Sequence, residues 1–249
     1  MNVIVCVKRV PDTEARIRVD SSGAAIDTAG IKYDVSPYDA FAIEAALRTK
    51  EALGAGEVTL VTFGDTAAQE TLRKGLAMGA DKAVLLTGKV SFDGLATAKV
   101  LAAELSESEA PLLLFGVKAA DGDQQQVAPM VAALIGRPCV TGVSSFEVSG
   151  GKALCQREAD GGSELVEVDL PAILSLTKGP NEPRLAALKG IMAAKRKPLE
   201  EKAAVVSDAR VKLTALTEPP PRTAGRIVGE GPEAVTELVR LLREEANAI

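Results

Sequence analysis

The sequence predicts an α/β fold: a doubly wound, mostly parallel sheet with helices on both faces, followed by a β-hairpin extension and a C-terminal arm. Short apolar runs that do not alternate with polar residues are typical of strands covered on both faces. In the first half of the chain these runs alternate with helical patterns, as parallel strands and their crossover helices do. With 249 residues, 47% of them hydrophobic, the chain is long enough to bury a sizeable core.

Four apolar runs in the first half are predicted to form the parallel strands. Between them, two stripes keep the spacing of a helix face and should pack on the sheet. A third helix should open with a capping box between Thr66 and Gln69 and stop at Gly79. The runs are residues 3–7, 58–63, 83–86 and 112–115, and the stripes are Tyr38, Phe41, Ala42 and Ala45, and Leu95, Ala98, Ala102 and Leu105.

Beyond residue 138 the pattern changes to shorter strands joined by glycine-rich turns, which suits hairpins. The turns are at 149–151 and 160–162, the strands are 140–148, 153–158 and 164–168, and a last apolar run covers 172–176.

The end of the chain is predicted to be an arm. The Glu-Pro-Pro-Pro stretch at 218–221 indicates a stiff spacer, because a packed interior rarely tolerates consecutive prolines. A terminal helix should begin at Gly231 and Pro232. We therefore predict an α/β domain over residues 1–215 and an arm over residues 216–249.

Composition excludes several classes of function. A formal charge of −5 and a pI near 5.1 argue against nucleic-acid binding, which depends on clustered Lys and Arg. No apolar run approaches the roughly 20 residues that a membrane-spanning helix needs. The first residues form a β-branched run rather than a signal peptide, so a cytoplasmic location is expected, or the mitochondrial matrix in a eukaryote.

Residue usage also limits the chemistry. The chain has no histidine, so Ser-His triads, imidazole acid–base catalysis and the common zinc sites cannot be built from it. Cys6, Cys139 and Cys155 have no metal-ligand spacing and are interpreted as buried thiols. We expect neither catalytic side chains nor a metal site.

The loop after the fourth predicted strand, residues 116–127, is the richest candidate site, since open parallel sheets bind ligands at the carboxyl ends of their strands. One interpretation is structural, because Asp123 and Gln126 have the spacing of a capping box. The other is functional. Gly116 and Gly122 would let the backbone approach a nucleotide, while Lys118 and the free N–H groups of the next helix meet its phosphates.

Several separated segments resemble one family in the right order, and together they cover nearly the whole chain. They are VIVCVKRVPD at the start, SPYDAFAIEAAL at 36–47, ETLRKGLAMGADKAV at 70–84, the loop at 116–127, READGGSELVEVDLPAIL at 157–174, NEPRLAALKGIMAAKRKP at 181–198 and EPPPRTAG at 218–225. This order resembles the β subunit of electron-transfer flavoproteins. The resemblance implies an adenine-nucleotide-binding, Rossmann-like domain that pairs with an α subunit, shares its FAD and binds an AMP.

The resemblance assigns the nucleotide contacts by position. Taken alone, Phe63 is equally well a core aromatic, and Ser36 with Pro37 equally well a helix start. A wall of the FAD site is expected near residues 9–13. The implied cofactor contacts are Cys6, Thr13, Ser36, Pro37, Tyr38, Asp39, Phe63, Gly116, Val117, Lys118, Ala119, Ala120, Asp121, Gly122, Asp123, Gln124, Gln125, Gln126 and Val127.

A second implied site is residues 181–198, which resemble the loop by which these β subunits anchor partner dehydrogenases such as acyl-CoA dehydrogenases. Leu188 would insert into an apolar pocket of the partner, and cations would steer acidic surfaces. Without the resemblance, the segment reads as an amphipathic helix with cations at its C-terminal end. The implied docking residues are Leu185, Leu188, Ile191, Met192 and Lys195, with Lys189, Arg196 and Lys197 as further cations.

Two departures keep alternatives open. Thr13 stands where respiratory members have an aromatic residue, and DQQQVAP at 123–129 resembles members that bind a second FAD in place of AMP and bifurcate electrons. An adenylating enzyme would need a Ser-Gly-Gly loop after its first strand, whereas here Ser-Gly-Gly lies at 149–151. A stand-alone nucleotide-sensing module would have no use for the docking loop.

The arm from Arg222 onward is expected to pack on the α subunit, and a quinone oxidoreductase or another acceptor to receive the electrons.

Overall fold

A computed structural model describes residues 1–221 and 224–249. Arg222, where the arm was expected to begin its approach to a partner, and Thr223 lie outside the described residues. The chain forms two compact units, Met1–Ala215 and Leu216–Ile249.

The first unit is built on a nine-stranded sheet with the strand order β11-β5-β4-β1-β6-β10-β7-β8-β9, beside a two-stranded sheet of β2 and β3. The seven strands from β11 to β7 run parallel, and β8 and β9 extend the sheet antiparallel. The predicted doubly wound α/β fold with its hairpin extension is confirmed. The strands are β1 Val3–Cys6, β2 Arg9–Pro11, β3 Tyr33–Val35, β4 Val58–Gly64, β5 Lys82–Thr87, β6 Leu112–Gly116, β7 Cys139–Ser149, β8 Lys152–Ala159, β9 Gly162–Asp169, β10 Ala172–Leu176 and β11 Leu199–Ala203.

Helices cover both faces of this sheet, which explains why the strand runs do not alternate. On β6, Leu112 and Leu114 belong to one buried cluster, together with residues of the first two helices, whereas Leu113 and Phe115 belong to the other, with residues of the third and fourth. Each buried leucine contributes about 1.5–3 kcal/mol through removal from water. The helices are α1 Pro37–Leu53, α2 Ala68–Met78, α3 Gly94–Leu105, α4 Val127–Ile135, α5 Leu188–Ala194 and, in the second unit, α6 Ala234–Glu244.

Two details of the helix starts differ from the sequence prediction. The capping box of α2 is wrong, because its N-cap is Ala67 and the Asp65 carboxylate accepts the N–H of Ala67 at 3.0 Å. The helix does end at Gly79, as predicted. The last helix, α6, begins two residues after Pro232, because a turn with Ala234 N–H bonded to the Gly231 carbonyl precedes it.

Cys6 and Cys155 are buried and Cys139 is half-buried, and all three are free. Within the described ranges, no helix combines the length and the apolar character required to cross a membrane.

The edge strand β11 and the two-stranded sheet were not predicted. β11 carries three charged residues in five, so its sequence lacks an apolar run, and it is recognisable only from its pairing with β5.

Candidate functional site

A cavity of about 450 Å³ lies at the carboxyl-terminal edge of the sheet. β1 ends at Cys6, β4 at Gly64 and β6 at Gly116, and all three residues line the cavity. The chain winds outward from β1 through β4 and β5 and then returns to β6 on the other side of β1. Open α/β sheets bind ligands where the winding direction reverses, and this volume is within the range of ligand sites.

Asp39, in the first turn of α1, ties the tips of β1 and β6 together. Its carboxylate accepts the backbone N–H of Lys8 at 2.7 Å and that of Gly116 at 3.0 Å. Gly116 has no room for a side chain, because a β-carbon there would collide with Asp39 and with the backbone of Tyr38. Burial raises the pKa of Asp39 to about 7, although both N–H groups act in the opposite direction. The cavity wall therefore contains a carboxyl group that titrates near neutral pH.

The raised pKa of Asp39 predicts a pH-dependent change in stability. From the ordinary value of 3.8 up to about 7, the folded state holds a proton that the unfolded state has lost. The contribution of Asp39 to the free energy of unfolding therefore falls as the pH rises through this window, by about 1.5 kcal/mol between about pH 5.5 and pH 7. Asp39→Asn cannot titrate and should lack this part of the slope. Urea denaturation across the pH range measures the difference, and parallel curves for the two proteins would refute the prediction.

The loop 116–127 forms one wall of the cavity, and every residue in it except Ala120 is part of the lining. Asp123 and Gln125 have left-handed backbones, with φ of 48° and 52°, a conformation that costs non-glycine residues energy and clusters at ligand sites. Lys118 Nζ lies 2.8 Å from Asp123 Oδ2, and Lys8 Nζ lies 2.7 Å from Asp121 Oδ1. Lys8 and Lys118, two of the three cationic residues that line the cavity, are thus each paired with an aspartate of the same loop.

The capping box predicted between Asp123 and Gln126 is wrong. Gln126 is itself the N-cap of α4 and makes no side-chain capping bond. Its amide donates to Gln124 Oε1 at 3.0 Å instead. Because Val127 and Ala128 line the cavity, α4 begins at the cavity wall without a side-chain cap. An uncapped helix start offers free N–H groups to an anion.

A second loop, between β5 and α3, lines the cavity and was not predicted. It contributes Val90, Phe92, Asp93 and Gly94, and the Gln124 amide donates to the Phe92 carbonyl at 2.9 Å. The Asp93 carboxylate accepts the N–H of Leu95 at 2.9 Å and caps α3. Hydrogen bonds, the largest from the backbone N–H of Arg210, hold the pKa of Asp93 below its usual range. The Asp-Gly pair before the Leu95 stripe was the sequence signal that could have located it.

The structure brings most of the predicted nucleotide contacts together. Cys6, Asp39 and Phe63 line the cavity, and Phe63 also packs against the core. Burial, and next the charge of Asp39, raise the pKa of Cys6 well above its usual value, so its thiol is inert.

Five predicted contacts lie away from the cavity lining. Ser36 is fully buried as the N-cap residue of α1, and its Oγ has no hydrogen-bond partner in the described part of the chain. Pro37 occupies the first turn of α1, as predicted, and the Tyr38 ring lies 5.9 Å from Lys118 Nζ. Ala120 belongs to the loop but not to the lining, and Thr13 is exposed in the turn after β2.

The predicted docking segment has an unusual surface. Only residues 188–194 are helical, and within α5 only Ala194 is buried. The larger apolar side chains of α5, Leu188, Ile191 and Met192, are therefore not buried against the rest of the domain. Exposed apolar side chains grouped in one segment are typical of interaction sites. The exposed fractions are 95% for Leu185, 75% for Leu188, 47% for Ile191 and 65% for Met192, and Lys195 is exposed beside them.

Comparison with known proteins gives a consistent result. The model of the electron transfer flavoprotein domain matches residues 24–207. An electron transfer flavoprotein subunit beta from Bradyrhizobium diazoefficiens is 40% identical, with all of both chains covered. One from Syntrophomonas wolfei is 40% identical over 94% of this chain and 92% of its own, and a mitochondrial one from Arabidopsis thaliana is 39% identical over all of both chains.

Proposed function

Since the chain belongs to the β-subunit family of electron transfer flavoproteins, we propose that it pairs with an α subunit, shares a bound FAD with it and carries electrons from dehydrogenases to an acceptor such as a quinone oxidoreductase. It contributes no catalytic side chains. Its place is the cytoplasm, or the mitochondrial matrix in a eukaryote. The arm, residues 216–249, packs on the α subunit.

The observation that carries the proposal is the cavity at the strand tips, which suits an adenylate. The backbone at Gly116 lies so close to Asp39 that a side chain at position 116 would have no room. A phosphate could bind at the uncapped start of α4 and pair with Lys8 and Lys118. It would either displace the aspartates that now pair with these lysines or bind beside them. An AMP held there would stabilise the folded subunit without taking part in electron transfer.

The flavin wall is assigned to residues 9–13. Arg9 Nε is buried and, among the described residues, has no hydrogen-bond partner, while its guanidinium lies 3.5 Å from the centre of the Tyr33 ring. A buried donor without a partner is costly unless a bound molecule supplies an acceptor. When bound, FAD supplies the redox chemistry, and this subunit orients it and keeps water away. Thr13 lies two residues beyond β2, beside this wall in the chain.

The exposed apolar patch of the docking segment, residues 181–198, supports the proposed partner contact. Leu188 would enter an apolar pocket on a dehydrogenase such as an acyl-CoA dehydrogenase, surrounded by Leu185, Ile191 and Met192. Lys195 would steer acidic surfaces toward the patch.

The test is the ligand content of the purified complex after co-expression with the α subunit. Acid release followed by chromatography should yield one FAD and one AMP for each heterodimer. Two FAD and no AMP would instead support the electron-bifurcating alternative, which the glutamine-rich cavity loop at 123–127 favours. A single FAD with no other adenine compound would refute the adenylate site. A colourless monomer would refute the subunit role and favour a stand-alone nucleotide-sensing module.

A further inference from the structure

Arg184, at the start of the docking segment, forms hydrogen bonds with two glutamates of α1. Glu44 is only 1% exposed, and its carboxylate accepts Arg184 Nε at 2.7 Å, Arg184 Nη2 at 3.1 Å and the backbone N–H of Arg184 at 3.1 Å. Glu51, about two turns further along the helix, accepts Arg184 Nη1 at 2.6 Å and Nη2 at 3.1 Å. Arg48 Nε donates to the second oxygen of Glu44 at 2.7 Å.

The guanidinium of Arg184 is therefore held by two carboxylates, in the forked geometry that is stronger and more directional than a single ion pair. Burial opposes the charge of Glu44, but the hydrogen bonds from Arg184 and Arg48 outweigh it and hold the Glu44 pKa below its usual value. The hydrogen bond from Arg184 likewise lowers the pKa of Glu51. Both carboxylates are therefore charged at neutral pH and remain able to pair with Arg184 there.

The other end of the segment is fastened to α2. Arg73 Nη1 donates to the carbonyls of Ala194 and Lys197, at 2.6 and 2.7 Å. Lys197 Nζ in turn donates to the carbonyls of Leu76 and Ala80, at 2.9 and 2.6 Å. Both cations thus bind backbone carbonyls at or just beyond the C-terminal ends of α5 and α2.

The middle of the segment lies directly against α2. A β-carbon at Gly190 would come within 2.5 Å of the Ala77 carbonyl oxygen, so only glycine allows this close approach. The segment is thus fixed at its start, its middle and its end, yet its larger apolar side chains, Leu185, Leu188, Ile191 and Met192, are exposed.

This combination has a physical consequence for binding. Seven residues make a short helix that is marginal by itself in water, because helix nucleation is unfavourable. If the segment became ordered only on contact with a partner, the free-energy cost of ordering it would weaken the binding. Fixing it beforehand removes this loss.

We propose that Arg184, together with Glu44 and Glu51, is a positioning residue that holds the docking segment in its binding conformation before a dehydrogenase arrives. The inference rests on the proposed function, because it assigns these three residues to the same partner contact. Arg184 is not among the residues assigned to the flavin wall, so we expect its effect on the encounter and not on the electron transfer step.

The experiment compares heterodimers carrying wild-type Arg184, Arg184→Ala or Arg184→Lys. Hydrogen exchange reports the order of residues 186–196, and steady-state kinetics with an acyl-CoA dehydrogenase gives the KM for the flavoprotein. For Arg184→Ala we expect exchange at least about ten-fold faster in this segment, a KM about ten-fold higher, and an unchanged kcat and flavin spectrum. Arg184→Lys keeps the charge but loses the fork, so it should lie between the two.

Arg157→Ala is the matched control, since it removes an exposed arginine whose Nε lies 2.6 Å from Glu164 on the β8–β9 hairpin, and both readouts should stay at wild-type values. If Arg184→Ala does not fold, Glu51→Gln leaves no unpaired buried charge and should change exchange and KM in the same direction, by about two- to three-fold. Unchanged exchange, or faster exchange with an unchanged KM, would overturn the inference. Leu188→Ala distinguishes failure of the positioning inference from failure of the proposed docking role. If this variant also leaves KM unchanged, the docking assignment itself fails.

Discussion

Gly116→Ala should remove the adenylate from the heterodimer while leaving its flavin in place. A β-carbon at this position would overlap an oxygen and the backbone nitrogen of Asp39, and the backbone of Tyr38 cannot move aside as a flexible side chain would. Overpacking of this kind costs about 1–3 kcal/mol, and here it would separate the tips of β1 and β6 that line the proposed nucleotide site. We expect the affinity for AMP to fall up to about a hundred-fold. Chromatography of acid-released ligands and calorimetric titration with AMP measure the loss.

The control for this variant is Gly162→Ala, at the start of β9, where a β-carbon meets no atom within 4 Å. It should retain AMP at one per heterodimer. Because a bound nucleotide stabilises the folded state only, Gly116→Ala should also melt at a lower temperature, and added AMP should no longer raise that temperature. Stoichiometric AMP in purified Gly116→Ala would show that the adenylate lies elsewhere.

Leu188→Ala should raise the KM of a dehydrogenase for the flavoprotein by about thirty-fold. The Leu188 side chain is 75% exposed, so its removal leaves no cavity and should hardly change the free energy of unfolding. An apolar side chain that fills a partner pocket contributes about 2 kcal/mol or more to binding, which corresponds to this factor. The flavin absorption spectrum should remain unchanged, because Leu188 is not among the residues assigned to the flavin wall.

The matched control is Leu165→Ala, the same substitution at a side chain that is 70% exposed on the edge strand β9. It should leave the KM at the wild-type value. Equal KM values for wild type and Leu188→Ala would exclude this leucine as the anchor, whatever the ligand content of the complex.

Much of the fold was predictable because its signals are local. The runs of β4 and β6 bury both of their faces, so the sequence has no polar residue every second position, and this alone indicates a parallel sheet with helices on both sides. Gly79 and the glycines of the hairpin turns have positive φ angles, so they end helices and form turns without help from distant residues. The strand β11 was missed because its charged sequence carries no such local signal.

The candidate site was predictable in part. The loop at 116–127 is recognisable from its glycines and from the strand before it, and it does line the cavity. Asp93 and Phe92 were missed, because their loop follows β5, which is separated from β6 by two other strands in the sheet. The capping interpretation of Asp123 failed for a related reason: the Asp123 carboxylate pairs with Lys118 instead, and the N-cap of α4 is Gln126.

By itself, the sequence determined the class of fold, the family and the absence of histidine chemistry, since periodicity, turns and composition are properties of neighbouring residues. Only the tertiary structure decided that Asp39 joins the tips of β1 and β6, and that Arg184 reaches a buried glutamate 140 residues away. Such pairs depend on the order in which strands assemble and on which side each crossover helix lies. A favourable contact between distant residues appears only after the packing of the whole sheet has brought them together.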